Sequence, residues 1–108
     1  VSQHAEDFRE TAHVRRFTRV DFRGQEEHGA PQEVRCRFQE GTRVVRSADG
    51  RTLTASATMF TAAQVTPRDL VFAPGADPLQ VGNSRRPLQV YERKELETGR
   101  VDHYEVIL

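Results

Sequence analysis

Glu33-Val34-Arg35-Cys36-Arg37-Phe38-Gln39 is the stretch that decides the fold. Val34, Cys36 and Phe38 fall on one face, and Glu33, Arg35, Arg37 and Gln39 on the other, the period-two signature of a half-buried antiparallel strand. Wound as a helix, the same seven residues would scatter the three apolar ones around the circumference.

Alternation resumes downstream. Asp49-Gly50 is a turn signal, and residues 51–60 then place Leu53, Ala55, Ala57 and Met59 on one side and Thr52, Thr54, Ser56, Thr58 and Phe60 on the other. The small side chains suit close approach by a neighbouring sheet or subunit. Pro67-Arg68-Asp69 turns the chain into Leu70-Val71-Phe72, which Ala73-Pro74-Gly75 stops. Gly82-Asn83-Ser84 and Pro87 precede Leu88-Gln89-Val90-Tyr91-Glu92, and the chain closes on an apolar-rich strand over residues 101–108. Upstream, Thr11, Val14, Phe17, Thr18, Val20 and Phe22 predict one long first strand, bulged near Arg15-Arg16 where the alternation slips, and ended by the turn-forming residues 24–31. Residues 1–10 are polar and acidic apart from Phe8 and are expected to form an arm, frayed or wound into a short helical turn.

Six or seven strands and no helix of ten residues or more predict an all-β fold: a small antiparallel β-barrel over residues 11–108, with a long loop between the second and third strands. Short helix has room near residues 2–10 or 60–65. A length of 108 residues is that of one domain, and a hydrophobic content of 36% gives a modest core, so contacts with neighbouring copies or a partner would add stability.

Charge excludes several functions. Sixteen basic residues face sixteen acidic ones, and residues 1–50 carry nine of each sign, so the basic excess usual in duplex-DNA binders is missing. Fifteen of the cations are Arg and only Lys94 is Lys, which fits both GC-rich coding DNA and planar, interface-forming ion pairs. Cys36, the one cysteine, rules out an intrachain disulfide scaffold. No apolar run approaches the roughly 20 residues of a membrane span. The start lacks a signal peptide's charged-then-apolar order, so the chain is expected to be soluble and intracellular where it is made, with no membrane partner.

No catalytic or metal constellation is legible, and no cofactor is expected. His4, His13, His28 and His103 are far apart in sequence, Cys36 lies mid-strand on the apolar face where a buried, inert thiol is expected, and no nucleophile elbow or phosphate-binding glycine loop is present. Arg15-Arg16-Phe17-Thr18-Arg19 interleaves cations with an aromatic ring, as a single-strand nucleic-acid groove does and as an ordinary solvated strand face also does. Arg85-Arg86 lies in a turn and is expected at the surface. The segment Gly41-Thr42-Arg43-Val44-Val45-Arg46-Ser47-Ala48-Asp49-Gly50-Arg51-Thr52 is Arg-rich, yet contains an adjacent Val44-Val45 that a freely solvated loop would not need. Such a loop either packs on its own barrel or is ordered by another chain.

Taken in order, the opening Val14-Arg15-Arg16, the turn Val65-Thr66-Pro67-Arg68-Asp69 with Leu70-Val71-Phe72, the Leu88-Gln89-Val90 strand and the ending His103-Tyr104-Glu105-Val106-Ile107-Leu108 resemble the head-completion, or stopper, proteins of long-tailed bacteriophages and the similar neck proteins of gene transfer agents. Asp102 stands where the family ending carries the first of two histidines. The resemblance implies a virion protein of the neck, made in the bacterial host cytoplasm and without catalytic activity. It would form a homo-oligomeric ring, hexamer or dodecamer, below the portal and adaptor, close the head over its double-stranded DNA and offer the tail, or its terminator protein, a docking surface. It also implies that the loop after the second strand, residues 41–52 here, faces the central channel and retains DNA. Two alternatives stand beside it: another neck or tail-terminator protein, and a small β-barrel single-stranded nucleic-acid-binding module using Arg15, Arg16, Phe17, Arg19 and Phe22.

Overall fold

The computed structural model describes residues 8–46, 49–94, 98–99 and 101–108. Among these the regular structure is eight strands and one turn of 3-10 helix, Val81–Asn83, with no α-helix. The strands are β1 (Glu10–Arg15), β2 (Phe17–Val20), β3 (Glu26–His28), β4 (Gln32–Arg46), β5 (Thr52–Thr61), β6 (Leu70–Phe72), β7 (Gln89–Lys94) and β8 (Val101–Ile107). Six of them form one antiparallel sheet in the order β6-β1-β4-β5-β8-β7, and β2 and β3 form a separate hairpin. No helix among the described residues is long and apolar enough to cross a membrane.

The outer edge of β6 is met by the segment that precedes β7. Val71 in β6 and Arg85, on the approach to β7, exchange both backbone hydrogen bonds, at 2.9 and 2.7 Å. This contact is a single bridge, whereas the neighbouring strands of the sheet are joined by ladders.

The core lies on the face predicted by the alternation. Val34 and Cys36 of β4, Ala57 and Met59 of β5, Ala12 and Val14 of β1, Val71 of β6, and Val106 with Leu108 at the chain's end form one buried cluster, joined by Val65 from the turn before β6. Phe38 packs against it half-buried. Met59 meets Phe38 across the β4–β5 ladder and Val106 across the β5–β8 ladder, so the apolar rows of three strands are in register. Phe8, which the polar start gave no reason to place inside, is buried, and β1 begins at Glu10, so the arm expected over residues 1–10 is already part of the body from Phe8; residues 1–7 lie outside the described ones. At residues 60–65 strand β5 gives way to a bend, without a helical turn.

Two expectations change. The long first strand is two strands, broken at Arg16: β1 stays in the sheet, while β2 leaves it to pair with β3 inside the stretch read as a turn. β3 has no apolar residue, Glu26-Glu27-His28, so periodicity could not have marked it.

Four half-buried aromatic rings are roofed by guanidinium groups. Arg68 lies 4.1 Å from the centre of the Phe17 ring, Arg37 4.6 Å from Phe60, Arg93 5.1 Å from Tyr91 and Arg85 5.5 Å from Phe38. A planar guanidinium covers a ring while keeping its N–H groups free for carboxylates, which a lysine ammonium does less well. This gives the Arg preference of the chain a structural use.

Candidate functional site

Residues 41–52 are the segment singled out as a site, and most of them are strand. β4 runs on through Gly41, Thr42, Arg43, Val44 and Val45 to Arg46, and β5 starts at Thr52. Arg43 pairs with Ala55, Val44 with Thr54, Val45 with Leu53, and Arg46 with Thr52. Asp49 and Gly50 form the turn and Arg51 leads into β5, while Ser47 and Ala48 lie outside the described residues. The expected loop is thus a hairpin arm. A bulge hid it: the β4–β5 register shifts between Glu40 and Arg43, with Gly41 at φ 153°, a backbone conformation costly for any residue with a Cβ. The extra residue breaks the alternation that made residues 33–39 readable.

The arm packs on its own body. Val45 is 8% exposed and forms a second buried cluster with Ala55 and Ile107, against which Leu53 and Tyr91 rest, whereas Val44 is 66% exposed on the other side. The adjacent valines therefore face opposite ways, and only one is left to solvent. Polar contacts hold the same arrangement. Arg43 Nη1 donates to Glu105 Oε1 at 2.9 Å, Arg93 donates to Glu105 Oε2 through Nη2 at 3.0 Å and Nε at 3.2 Å, and Gln89 Nε2 donates to the Arg46 carbonyl at 3.2 Å. Burial of Glu105 alone would push its pKa up. The hydrogen bonds and charges of Arg43 and Arg93 outweigh that and hold the carboxyl below the usual carboxylate range. Glu105, Tyr91 and Ile107 belong to β7 and β8, so the arm is clasped to the far side of the sheet from β1.

The β2–β3 hairpin is held differently. Asp69, 3% exposed, is the anchor at its base: Oδ1 accepts the backbone N–H of Phe17 at 2.8 Å, and Oδ2 accepts that of Thr66 at 2.9 Å and Arg16 Nη1 at 3.2 Å. Arg16 also donates to the Gln64 carbonyl. Burial works to raise the Asp69 pKa, but these donors prevail and lower it. The Thr66-Pro67-Arg68-Asp69 turn thereby fixes where β1 ends and β2 begins. Further along, Glu26 receives Arg86 and lies 3.5 Å from Arg68, His28 Nε2 is 2.8 Å from the Arg68 carbonyl, Arg15 Nε donates to the Gly29 carbonyl at 2.8 Å, and Arg19 Nε meets Glu27 at 2.7 Å.

The residues of the nucleic-acid alternative are consequently scattered. Arg15, Arg16 and Arg19 are engaged with protein acceptors, Phe17 lies under Arg68, and Phe22 alone stands out, 92% exposed at the hairpin tip. Arg85 and Arg86, expected as plain surface, are cross-links: Arg85 Nη2 donates to Glu40 at 3.0 Å and Arg86 to Glu26. Cys36 is fully buried, and burial, helped by the nearby charge of Glu10, pushes its thiol up to about 11. His13 is half-buried on β1, His103 lies 2.8 Å from Asp102, and His4 is outside the described residues. Among the described residues no three His, Cys, Asp or Glu side chains converge as metal ligands would.

The arrangement offers contact surfaces: an arm whose exposed side carries Val44 among threonines and Arg46, and a hairpin ending in an exposed aromatic ring. In comparisons with protein-family models, curated proteins and solved structures, no match to this chain was found.

Proposed function

We propose that this chain is a structural protein of a virion neck, a head-to-tail connector stopper that assembles as a homo-oligomeric ring, closes the DNA-filled head below the portal and adaptor, and receives the tail. The observation that carries the reading is the arm. At the place where the resemblance implies a channel-facing segment, the chain builds a bulged hairpin extension of its two central strands, with Val44 and the turn at Asp49-Gly50 exposed. Further support comes from the order of motifs along the all-β fold, and from a balance of sixteen charges of each sign, which suits a ring whose subunits join unlike faces and a channel through which DNA must slide. Catalysis has no part in this reading.

Two experiments test it. Gold-labelled antibody against the native chain should decorate the junction of head and tail in purified particles; intact and tail-less particles both free of label would overturn the virion role. Replacing residues 46–52 with Asn-Gly, a two-residue turn that can join Val45 to Leu53, should leave the body folded while particles lose DNA or fail to eject it. Infectious, DNA-filled particles carrying the shortened arm would overturn the role given to the arm.

A further inference from the structure

The tip of the β2–β3 hairpin is built to hold an aromatic side chain out in water. Asp21 organises it: its Oδ1 accepts the N–H groups of Arg23 and Gln25, each at 2.9 Å, its own N–H donates to the Gln25 carbonyl at 2.8 Å, and its carbonyl accepts the N–H of Gly24 at 3.0 Å. Gly24 adopts φ 83°, which closes the turn. On this rigid support Phe22 is 92% exposed, with Arg23 lying 5.3 Å from its ring centre and Val20 45% exposed beside it. Among the described residues the ring belongs to neither buried cluster. An aromatic anchor on a backbone already fixed by hydrogen bonds is a form that interface hot spots take, because less ordering remains to be done on contact.

Elsewhere on the chain lies a receptor of matching character. Leu88, Val90 and Tyr91 of the β7 segment and Pro67 line an open groove of about 730 Å³, with Arg46 and Asp49 of the arm at its rim. Leu88 is 37% exposed, and the Asp49 side chain, 4.0 Å from Arg51, is 61% exposed. The groove is thus lined mainly by apolar side chains that suit Phe22, with one cation, Arg46, and one anion, Asp49, the group of opposite sign to Arg23. A projecting apolar group and a complementary pocket at different places on one molecule make a heterologous contact, which repeats head to tail.

We propose that a second copy of this chain fills the groove, inserting Phe22 against Leu88 and Tyr91 and setting Arg23 beside Asp49. The contact stands on these surfaces alone; under the neck reading it would be the joint between neighbouring subunits, and its failure would leave that reading standing.

Disulfide trapping on the purified chain tests it, because trapping registers weak association. The double variant Arg23→Cys/Asp49→Cys, with the buried Cys36 left in place, is oxidised mildly and run without reductant. The expected result is a ladder of dimer, trimer and higher species whose peptide map links position 23 of one copy to position 49 of the next. Adding Phe22→Asp, or separately Leu88→Glu, should slow the ladder about ten- to hundredfold, the range expected for losing one buried aromatic contact, with circular dichroism unchanged. A chain that stays monomeric, a ladder insensitive to both substitutions, or links only between like positions would overturn the proposal; so would capture of Phe22 by single-stranded nucleic acid in place of the second copy.

Discussion

The molecule carries two hairpins that leave the body, and they solve the problem of attachment in opposite ways. The β4–β5 arm lies down: it buries Val45 with Ile107 and locks over Glu105, so its inner side is continuous with the body's packing. The β2–β3 hairpin stands up: its base is fixed by Asp69 and by the pairing of Glu26 with Arg86 and Arg68, and its tip ends in an uncovered Phe22. Apolar burial holds one and directional polar contacts hold the other. Changes in the two regions should therefore be told apart by size, pH and solvent.

The largest effect is expected where the arm meets β8. Ile107→Ala removes a fully buried side chain from the second cluster and should cost about 2–4 kcal/mol in denaturant unfolding, with Val45 becoming exposed. A cost under about 0.5 kcal/mol, the size of a neutral surface change, would mean that the arm is not held by this packing. Next comes the other hairpin's anchor. Asp69→Ala strips acceptors from the Phe17 and Thr66 amides and from Arg16, and should cost about 1–3 kcal/mol, with amide exchange speeding up in β2 and β3 before β4 and β5.

Glu105→Gln should be milder, about 1 kcal/mol, because Arg43 and Arg93 are each nearly half exposed and water takes over part of their solvation. Acid should find both regions. The carboxyl groups of Asp69 and Glu105 have folded-state pKa values below their unfolded ones, so their contribution is complete above the ordinary carboxylate range and is lost as pH falls through and below it. Glu105→Gln should flatten that acid limb, seen as a smaller drop in melting temperature between neutral and acid pH; an unchanged slope would remove Glu105 from the account. The smallest effect belongs to the hairpin tip. Phe22→Ser should change stability by no more than about 0.5 kcal/mol, since the ring touches solvent and not the core, and the same unfolding titration measures it.

The contrast between the hairpins also explains what could be read in advance. Periodicity found β4 over residues 33–39, β5, and the outlines of β6, β7 and β8, because in each the core claims alternate residues. It stopped at Gly41, since one inserted residue reverses which side chains face inward and leaves Val44-Val45 out of step with the alternation. It could not find β3, whose three residues are held by backbone pairing and by ions from distant turns, and distance along the chain conceals such partners. The site shared this limit. The segment at residues 41–52 was legible as unusual from its two valines, but its clasp joins Arg43 to Glu105, residues 62 positions apart. The break at Arg16 left one trace, the slipped alternation at Arg15-Arg16, while the Asp69 that causes it lies 53 residues from Arg16.

The bridge between Val71 and Arg85 gives the wall a weak line. That contact has two backbone hydrogen bonds, while β4 and β5 are joined by a ladder running most of both strands. Pulled apart, this contact would open before any of the five strand pairings of the sheet. The segment before β7 is thus fastened to the sheet's β6 edge at one point, a clip whose release leaves the ladders paired.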